Sequence, residues 1–145
     1  MSKILGIDYG KIITGLSITD SQKIFAFGLN AIPTQDLMNF FKCFLVYEKI
    51  EKIVVGLPKK LNNQKEILVE IEIQKFIKKF HIKYPKIRIE RLDERFTSKI
   101  AFSTMIKLGL KKKKRREKII LNQISATIIL QSYLTLTNPK KEKKN

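Results

Sequence analysis

Short apolar stretches at β-strand spacing occupy the first part of the chain. Residues 3–8 form an apolar run that ends at an acid, and residues 14–20 alternate loosely between apolar and polar positions. Residues 23–32 carry aromatic and aliphatic side chains at every second position, which also predicts a strand. Because the connections between them are short, these three strands are expected to form an antiparallel meander.

Apolar spacing changes after residue 33 to the i, i+3, i+4 pattern of amphipathic helices. Thr34 is the expected N-cap of the first helix, and Cys43 falls within the apolar pattern of that helix, which predicts a buried structural thiol. Helices are predicted over residues 37–45, 64–80, 97–109 and 119–136, and strands over residues 52–56 and 86–92.

The predicted order of elements is β-β-β-α-β-α-β-α-α. Strands that alternate with helices indicate parallel strands joined by crossover helices. The fold class is therefore α/β, with a mixed sheet of three antiparallel strands followed by two parallel strands, flanked by helices. Residues 1–138 are expected to form one domain, and residues 139–145 a basic disordered tail.

Charge is the feature of the composition that bears most on function. The 145 residues include 30 Lys and Arg against 13 Asp and Glu, a formal net charge of +17, so nucleic acid is the first partner to consider. The counts of 25 Lys, 23 Ile and 4 Ala are also what an AT-rich genome would produce, so part of this charge can be a solvated surface without a partner.

The sequence predicts neither a targeting signal nor a membrane span. An acid at residue 8 interrupts the start of the chain too early for a signal peptide, and no uninterrupted apolar run approaches the roughly 18 residues of a spanning helix. We therefore expect a cytoplasmic protein that does not bind membranes, as a monomer or weak homodimer.

Acidic side chains stand at the ends of two predicted strands. Asp8 ends the first strand, and Asp93 and Glu94 follow the last one. Adjacent side chains on a strand point in opposite directions, so only one of this pair is expected to face the same cleft as Asp8. Asn122 in the last helix could reach that cleft, and oxygen ligands of this kind suit a divalent cation that activates water.

Basic residues that could contact phosphates lie near these acids or in one long run. Residues 111–116 are six consecutive basic residues, which we interpret as a phosphate-contacting loop between two helices. The candidate nucleic-acid-binding residues are Lys11, Lys59, Lys60, Arg95, Lys111, Lys112, Lys113, Lys114, Arg115 and Arg116.

Four segments together resemble one family, although each is weak alone. The segments are ILGIDYG at 4–10 followed by GLS at 15–17, IVVGLP at 53–58, LDERFTS at 92–98, and ISA at 124–126 running into ILQSYL at 129–134. In this order and spacing they resemble the YqgF/RuvX family, the pre-16S rRNA nucleases also described as Holliday-junction-resolvase-like.

The resemblance implies a ribonuclease-H-like fold and a divalent-metal-dependent endonuclease. Its substrate would be the rRNA precursor or ribosomal particle in which the 5′ end of 16S rRNA is matured, and branched DNA is an alternative. The family's acids map onto Asp8, onto Glu94 with Asp93 as its neighbour, and onto position 122. Asp8, Glu94 and Asn122 would then hold Mg²⁺ or Mn²⁺.

The sequence departs from the family pattern at two places. Position 122 is Asn where the pattern has Asp, and an amide oxygen can ligate a metal but contributes no charge. Ile12 and Ile13 stand where the family usually carries a basic pair. These departures keep open a second hypothesis, a binding module that acts on ribosome assembly by contact. A third, an actin-like or sugar-kinase-like phosphate binder, would need a second such domain to close on a nucleotide.

Overall fold

The computed structural model describes residues 2–58, 63–94 and 114–137, the last range with side chains from residue 119 onward. The strands are β1 (Lys3–Asp8), β2 (Ile13–Thr19), β3 (Ala26–Pro33), β4 (Ile50–Leu57) and β5 (Arg88–Asp93). The α-helices are α1 (Leu37–Tyr47), which a 3-10 turn (Thr34–Asp36) precedes, α2 (Gln64–Lys83) and α3 (Lys114–Thr137).

All five strands belong to one mixed sheet in the order β3-β2-β1-β4-β5. β1 pairs antiparallel with β2, and β2 pairs antiparallel with β3. β4 runs parallel to β1, and β5 runs parallel to β4. The predicted fold class is confirmed, because the antiparallel meander and the two parallel strands occur in the predicted order.

Strand alternation gives the sheet an apolar core on each face. On one face, α1 and α2 cover the sheet, and the buried residues are Leu5, Ile7, Leu16, Leu37, Phe41, Ile50, Ile53, Val55, Ile73, Phe76 and Phe80. On the other face, α3 covers it, and the buried residues are Ile4, Val54, Leu92, Ile129, Leu130, Tyr133 and Leu134. The side chains of β1 therefore alternate between a two-helix face and an α3 face.

Small residues bring the backbone of α3 into contact with the sheet. Gly15 leaves no room for a Cβ, because the carbonyl oxygen of Asn122 occupies that position. Further along α3, the carbonyl oxygen of Ala126 accepts a 2.6 Å hydrogen bond from the hydroxyl of Ser17 on β2. These contacts fix α3 over β1 and β2, close to the end of β1.

Three local predictions from the sequence are wrong. Cys43 is exposed, because the first helix buries the neighbouring Phe41 and turns Cys43 outward. Thr34 does not cap a helix; its hydroxyl donates to the carbonyl oxygen of Gly10 at 2.7 Å and lies 2.8 Å from the hydroxyl of Thr14. The basic run ends inside a helix and not in a loop, because α3 begins at Lys114.

One helix within the described ranges could cross a membrane by length and composition. Ile119–Thr137 spans 19 residues with a mean hydropathy of 1.4, although polar residues interrupt its apolar positions. The helix packs on the sheet through buried Ala126, Ile129 and Leu130.

The predicted helix over residues 97–109 and the predicted tail over residues 139–145 lie outside the described residues.

Candidate functional site

The carboxylate of Asp8 lies at the end of β1 on the α3 face. Ile4, two strand periods earlier, belongs to the apolar cluster that α3 covers, so Asp8 is on the same side of the sheet. Burial raises the pKa of Asp8 to about 6, and a hydrogen bond with the side chain of Ser125 on α3 partly offsets this rise. The carboxylate is thus held by α3 in a partly desolvated place.

Glu94 follows β5 and lies on that same face. Its Cγ and Cδ atoms are 3.6 Å from the position that a Cβ on Gly56 would take, so the absence of a side chain on Gly56 makes room for it. Ile7 pairs with Val55, which makes Asp8 and Gly56 the next residues along two adjacent parallel strands. The Glu94 side chain therefore lies beside the strand that neighbours Asp8.

Asp93 falls on the opposite side of the sheet. The residue two positions earlier, Arg91, binds Glu70 of α2 at 2.7 and 2.8 Å. Glu90, whose side chain points to the opposite face from Arg91, accepts a 2.6 Å hydrogen bond from Tyr133 of α3. Alternation thus places Glu94 with Asp8 on the α3 face, and Asp93 with the α2 face.

Asn122 stands on α3 where the helix meets the end of β1. Its backbone carbonyl group contacts Gly15, and Gly15 pairs with Asp8 across the antiparallel β1–β2 ladder. Ser125, which bonds Asp8, lies one helical turn further along. The structure therefore gathers Asp8, Glu94 and Asn122 around the ends of β1 and β4.

The donors of this site fit a hard divalent cation. Two carboxylates and one amide offer oxygen ligands only, which Mg²⁺ and Mn²⁺ prefer, and Mg²⁺ commonly uses one or two carboxylates together with substrate phosphates. Because burial raises the pKa of Asp8, a cation bound beside it would favour its ionised form. Among the described residues, no three His, Cys, Asp or Glu side chains are grouped so that they could hold a metal.

The predicted nucleic-acid contacts are only partly described. Lys11 is exposed in the connection between β1 and β2, close to the site. Lys114, Arg115 and Arg116 form the first turn of α3, without described side chains. Lys59, Lys60, Arg95, Lys111, Lys112 and Lys113 lie outside the described residues.

Several residues around the site were missed by the sequence analysis. Ser125 entered the sequence analysis only within the ISA segment at 124–126, and its bond to Asp8 depends on how α3 docks on the sheet. Lys75 and Lys79 of α2 line a cavity together with Tyr9, the neighbour of Asp8. The i, i+4 spacing of these two lysines was a signal that they share one helix face.

The sheet order and the helix carrying Asn122 define a ribonuclease-H-like fold. RuvC of T. thermophilus, solved in complex with a Holliday junction substrate, superposes with a TM-score of 0.61 over 94% of this chain and 96% of its own, at 11% identity. The sequence model of one family, described as RuvX: Holliday junction resolvase, matches residues 2–136. The chain belongs to the RuvX family, which confirms the resemblance found in the sequence.

Relatives from several bacteria match nearly the whole chain. A Flavobacterium psychrophilum protein is 48% identical over 93% of this chain and 98% of its own length. A Christiangramia forsetii protein is 46% identical over 92% and 98%, and a Bacteroides thetaiotaomicron protein is 42% identical over 92% and 96%. All three carry the name "Putative pre-16S rRNA nuclease".

Proposed function

We propose that the chain is a nuclease that hydrolyses a phosphodiester bond in the precursor of 16S rRNA, as part of the maturation of its 5′ end. The observation that carries this proposal is the placement of Asp8 and Glu94 on one face, around the ends of adjacent strands, with Asn122 above them. Membership of the RuvX family and the names of the relatives support the same activity.

The chain's own side chains would act as ligands and as positioning groups. Asp8, Glu94 and Asn122 would hold Mg²⁺ or Mn²⁺, and the bound cation would supply activation of water and neutralisation of the scissile phosphate. The hydrogen bond from Ser125 keeps the Asp8 carboxylate directed at the site. The close contact of α3 with Gly15 sets the height of Asn122 above the sheet.

Binding of the substrate would depend on the positive charge of the chain. The net charge of +17 favours a polyanion, and the candidate basic residues would contact its backbone. With an rRNA precursor or ribosomal particle as its substrate, the chain would act in the cytoplasm, and we expect it to be a monomer or weak homodimer. Asp93, on the other face of the sheet, would not hold the cation.

Cleavage of a precursor rRNA 5′ leader by wild type and Asp8→Asn tests this proposal, with Mg²⁺, Mn²⁺ or EDTA. We expect wild type to cut only with a divalent cation. Asp8→Asn should lose at least about 100-fold in rate, because it removes one of two carboxylates at the site. Asp93→Asn is the matched control and should stay within a fewfold of wild type. Equal cutting by wild type and Asp8→Asn would refute the assignment of the site.

A second candidate function is RNA binding without cleavage, in which the chain acts on ribosome assembly by contact. The amide of Asn122 favours it, because one negative charge fewer weakens binding of a second cation. If wild type binds the leader without cutting it and Asn122→Asp creates cutting, this second function is correct. A branched DNA substrate in the same assay separates junction resolution from rRNA processing.

A further inference from the structure

A cavity of about 540 Å³ opens on the α1 and α2 side of the sheet, next to the end of β1. The connection after β1, the 3-10 turn, the start of α1 and the middle of α2 enclose it. The residues that matter for its chemistry are Tyr9, Lys11, Lys75, Phe76 and Lys79. None of the residues proposed to hold the cation lines this cavity.

The wall of the cavity is aromatic and apolar. The ring centroids of Tyr9 and Phe76 are 5.9 Å apart, with the planes tilted by 36°. Phe76 is buried, whereas Tyr9 is half-buried, so part of the Tyr9 ring remains accessible from the cavity. A planar, partly exposed ring of this kind is the surface on which unpaired bases stack.

The rim of the cavity is positively charged. Lys11, Lys75 and Lys79 are exposed there, against one acid, Glu72. Lys75 lies 3.5 Å from Glu72 and offsets its charge, which leaves a surplus of positive charge from Lys11 and Lys79. Lysines around an aromatic wall are the combination by which proteins bind single-stranded nucleic acid.

The position of the cavity links it to the proposed catalytic site. Tyr9 is the residue after Asp8, and the two side chains lie on opposite faces of the sheet. A nucleic-acid strand that passes Asp8 needs only to cross the end of β1 to enter the cavity. Lys11 lies in the connection that follows β1, and it lines the cavity.

We propose that this cavity binds an unpaired nucleotide of the substrate strand, with its base against Tyr9 and the adjoining phosphates on Lys11, Lys75 and Lys79. The proposal rests on the proposed function in one respect, since it takes nucleic acid to be the substrate. It adds a substrate class: a strand that is single-stranded beside the scissile phosphate. A duplex keeps its bases stacked and paired, so it cannot supply the base.

The test is binding of a fluorescein-labelled single-stranded RNA of about 12 nucleotides, measured by anisotropy in EDTA over a range of salt concentrations. The lysine variant is Lys75→Gln with Lys79→Gln. Its matched control is Lys65→Gln with Lys78→Gln, which removes the same charge from exposed positions of the same helix that do not line the cavity. Loss of two phosphate contacts should lower the slope of log affinity against log salt by about 1.4. The control pair should lower it by much less.

The aromatic part of the proposal has its own pair of variants. Tyr9→Leu removes the ring and should weaken binding about tenfold at unchanged salt slope, whereas Tyr9→Phe should bind like wild type. Thermal unfolding by circular dichroism checks that each variant is folded. If Tyr9→Leu does not fold, the lysine comparison still decides, because those side chains are exposed.

Two results would overturn the proposal: equal losses in the two lysine pairs, or folded Tyr9→Leu that binds as tightly as Tyr9→Phe. Because binding is measured in EDTA, it does not depend on cleavage. If wild type binds RNA through the cavity but never cuts the rRNA leader, the proposed nuclease activity is refuted and the proposed binding of a nucleotide in the cavity is not. If wild type cuts the leader and all cavity variants bind RNA as wild type does, only the binding of a nucleotide in the cavity is refuted.

Discussion

Arg91 joins three elements through one guanidinium group. It binds both carboxylate oxygens of Glu70 on α2, at 2.7 and 2.8 Å, and donates to the carbonyl oxygens of Val55 and Gly56 on β4, at 3.2 and 3.1 Å. Both side chains of the ion pair are largely shielded from water. Bidentate pairs of this kind are stronger and more directional than exposed ion pairs, so this one ties the α2 face to the strands that position Gly56.

We predict that Glu70→Gln destabilises the protein at neutral pH and not in acid. The Arg91 guanidinium lowers the pKa of Glu70 below its ordinary value of 4.5. A lowered folded-state pKa means that this stabilisation is complete above pH 4.5 and is lost as the pH falls through the folded-state pKa. Urea unfolding should show a loss of about 1–3 kcal/mol at pH 7 that shrinks towards zero in acid.

Glu72→Gln is the matched control for that measurement. Glu72 pairs with Lys75 at 3.5 Å, and both side chains are exposed, so its loss should change the free energy of unfolding by less than about 0.5 kcal/mol. A pH-independent effect of Glu70→Gln, or equal effects of the two substitutions, would contradict the role given to the Arg91 pair.

Sequence spacing predicted the acids of the site but could not choose between Asp93 and Glu94. Strand alternation shows that two adjacent residues face opposite ways, without indicating which face is the functional one. That choice depends on α3 covering one side of the sheet, which is a tertiary contact. The bond between Ser125 and Asp8 was inaccessible to sequence reasoning for the same reason.

The docking of α3 on the sheet controls the geometry of the candidate site. Gly15 and Gly28 both face this helix, but they differ in the space around them. A Cβ on Gly15 would collide with the backbone of Asn122, whereas a Cβ on Gly28 would meet its nearest atom, the Thr127 hydroxyl oxygen, at an ordinary 3.5 Å. The two glycines therefore offer a comparison between a tight and a relaxed contact with the same helix.

We predict that Gly15→Ala lowers stability and activity, while Gly28→Ala leaves both nearly unchanged. The extra methyl group at Gly15 must push α3 from the sheet, at a cost of about 1–3 kcal/mol or more, and it moves Asn122 away from Asp8. At Gly28 the reduced freedom of the unfolded chain can even stabilise the fold by about 0.4–1 kcal/mol. Urea unfolding and rRNA-leader cleavage would check both, and equal effects of the two variants would contradict the argument.

The helix boundaries show where local patterns suffice and where they fail. Apolar spacing predicted residues 119–136 as helical, and α3 does contain them, because the buried face dictates that spacing. The helix begins earlier, at Lys114, where no apolar residue marks a face. Cys43 shows the converse failure: it lies in an apolar pattern, but the surface that buries Phe41 does not extend to it.

At the scale of the whole molecule, the sequence predicted the mixed sheet correctly. Short connections limited the first three strands to a meander, and intervening helices forced the later strands to run parallel. The strand order β3-β2-β1-β4-β5 follows from those two constraints once β4 pairs with β1. The face on which each helix packs did not follow, since both faces of β1 and β4 carry buried apolar residues.

Net charge is also a property of the whole chain, and the dependence of RNA affinity on salt tests whether that charge serves to bind nucleic acid. If the charge of +17 serves to hold nucleic acid, affinity should fall steeply with salt, because each phosphate contact releases counterions. We predict a loss of about 100-fold or more in affinity for a duplex RNA between about 50 and 200 mM salt, which corresponds to roughly four neutralised phosphates.

A shallow dependence of affinity on salt is the outcome that would contradict this last prediction. A lysine-rich surface that arose from genome composition would attract RNA only diffusely, and affinity would fall by less than about tenfold over the same range. Steep salt dependence together with metal-dependent cutting at about 200 mM salt would show that the charge brings the substrate to Asp8 and Glu94. Steep dependence without cutting would assign the charge to the binding function, because a polyanion needs no catalytic acid to be held.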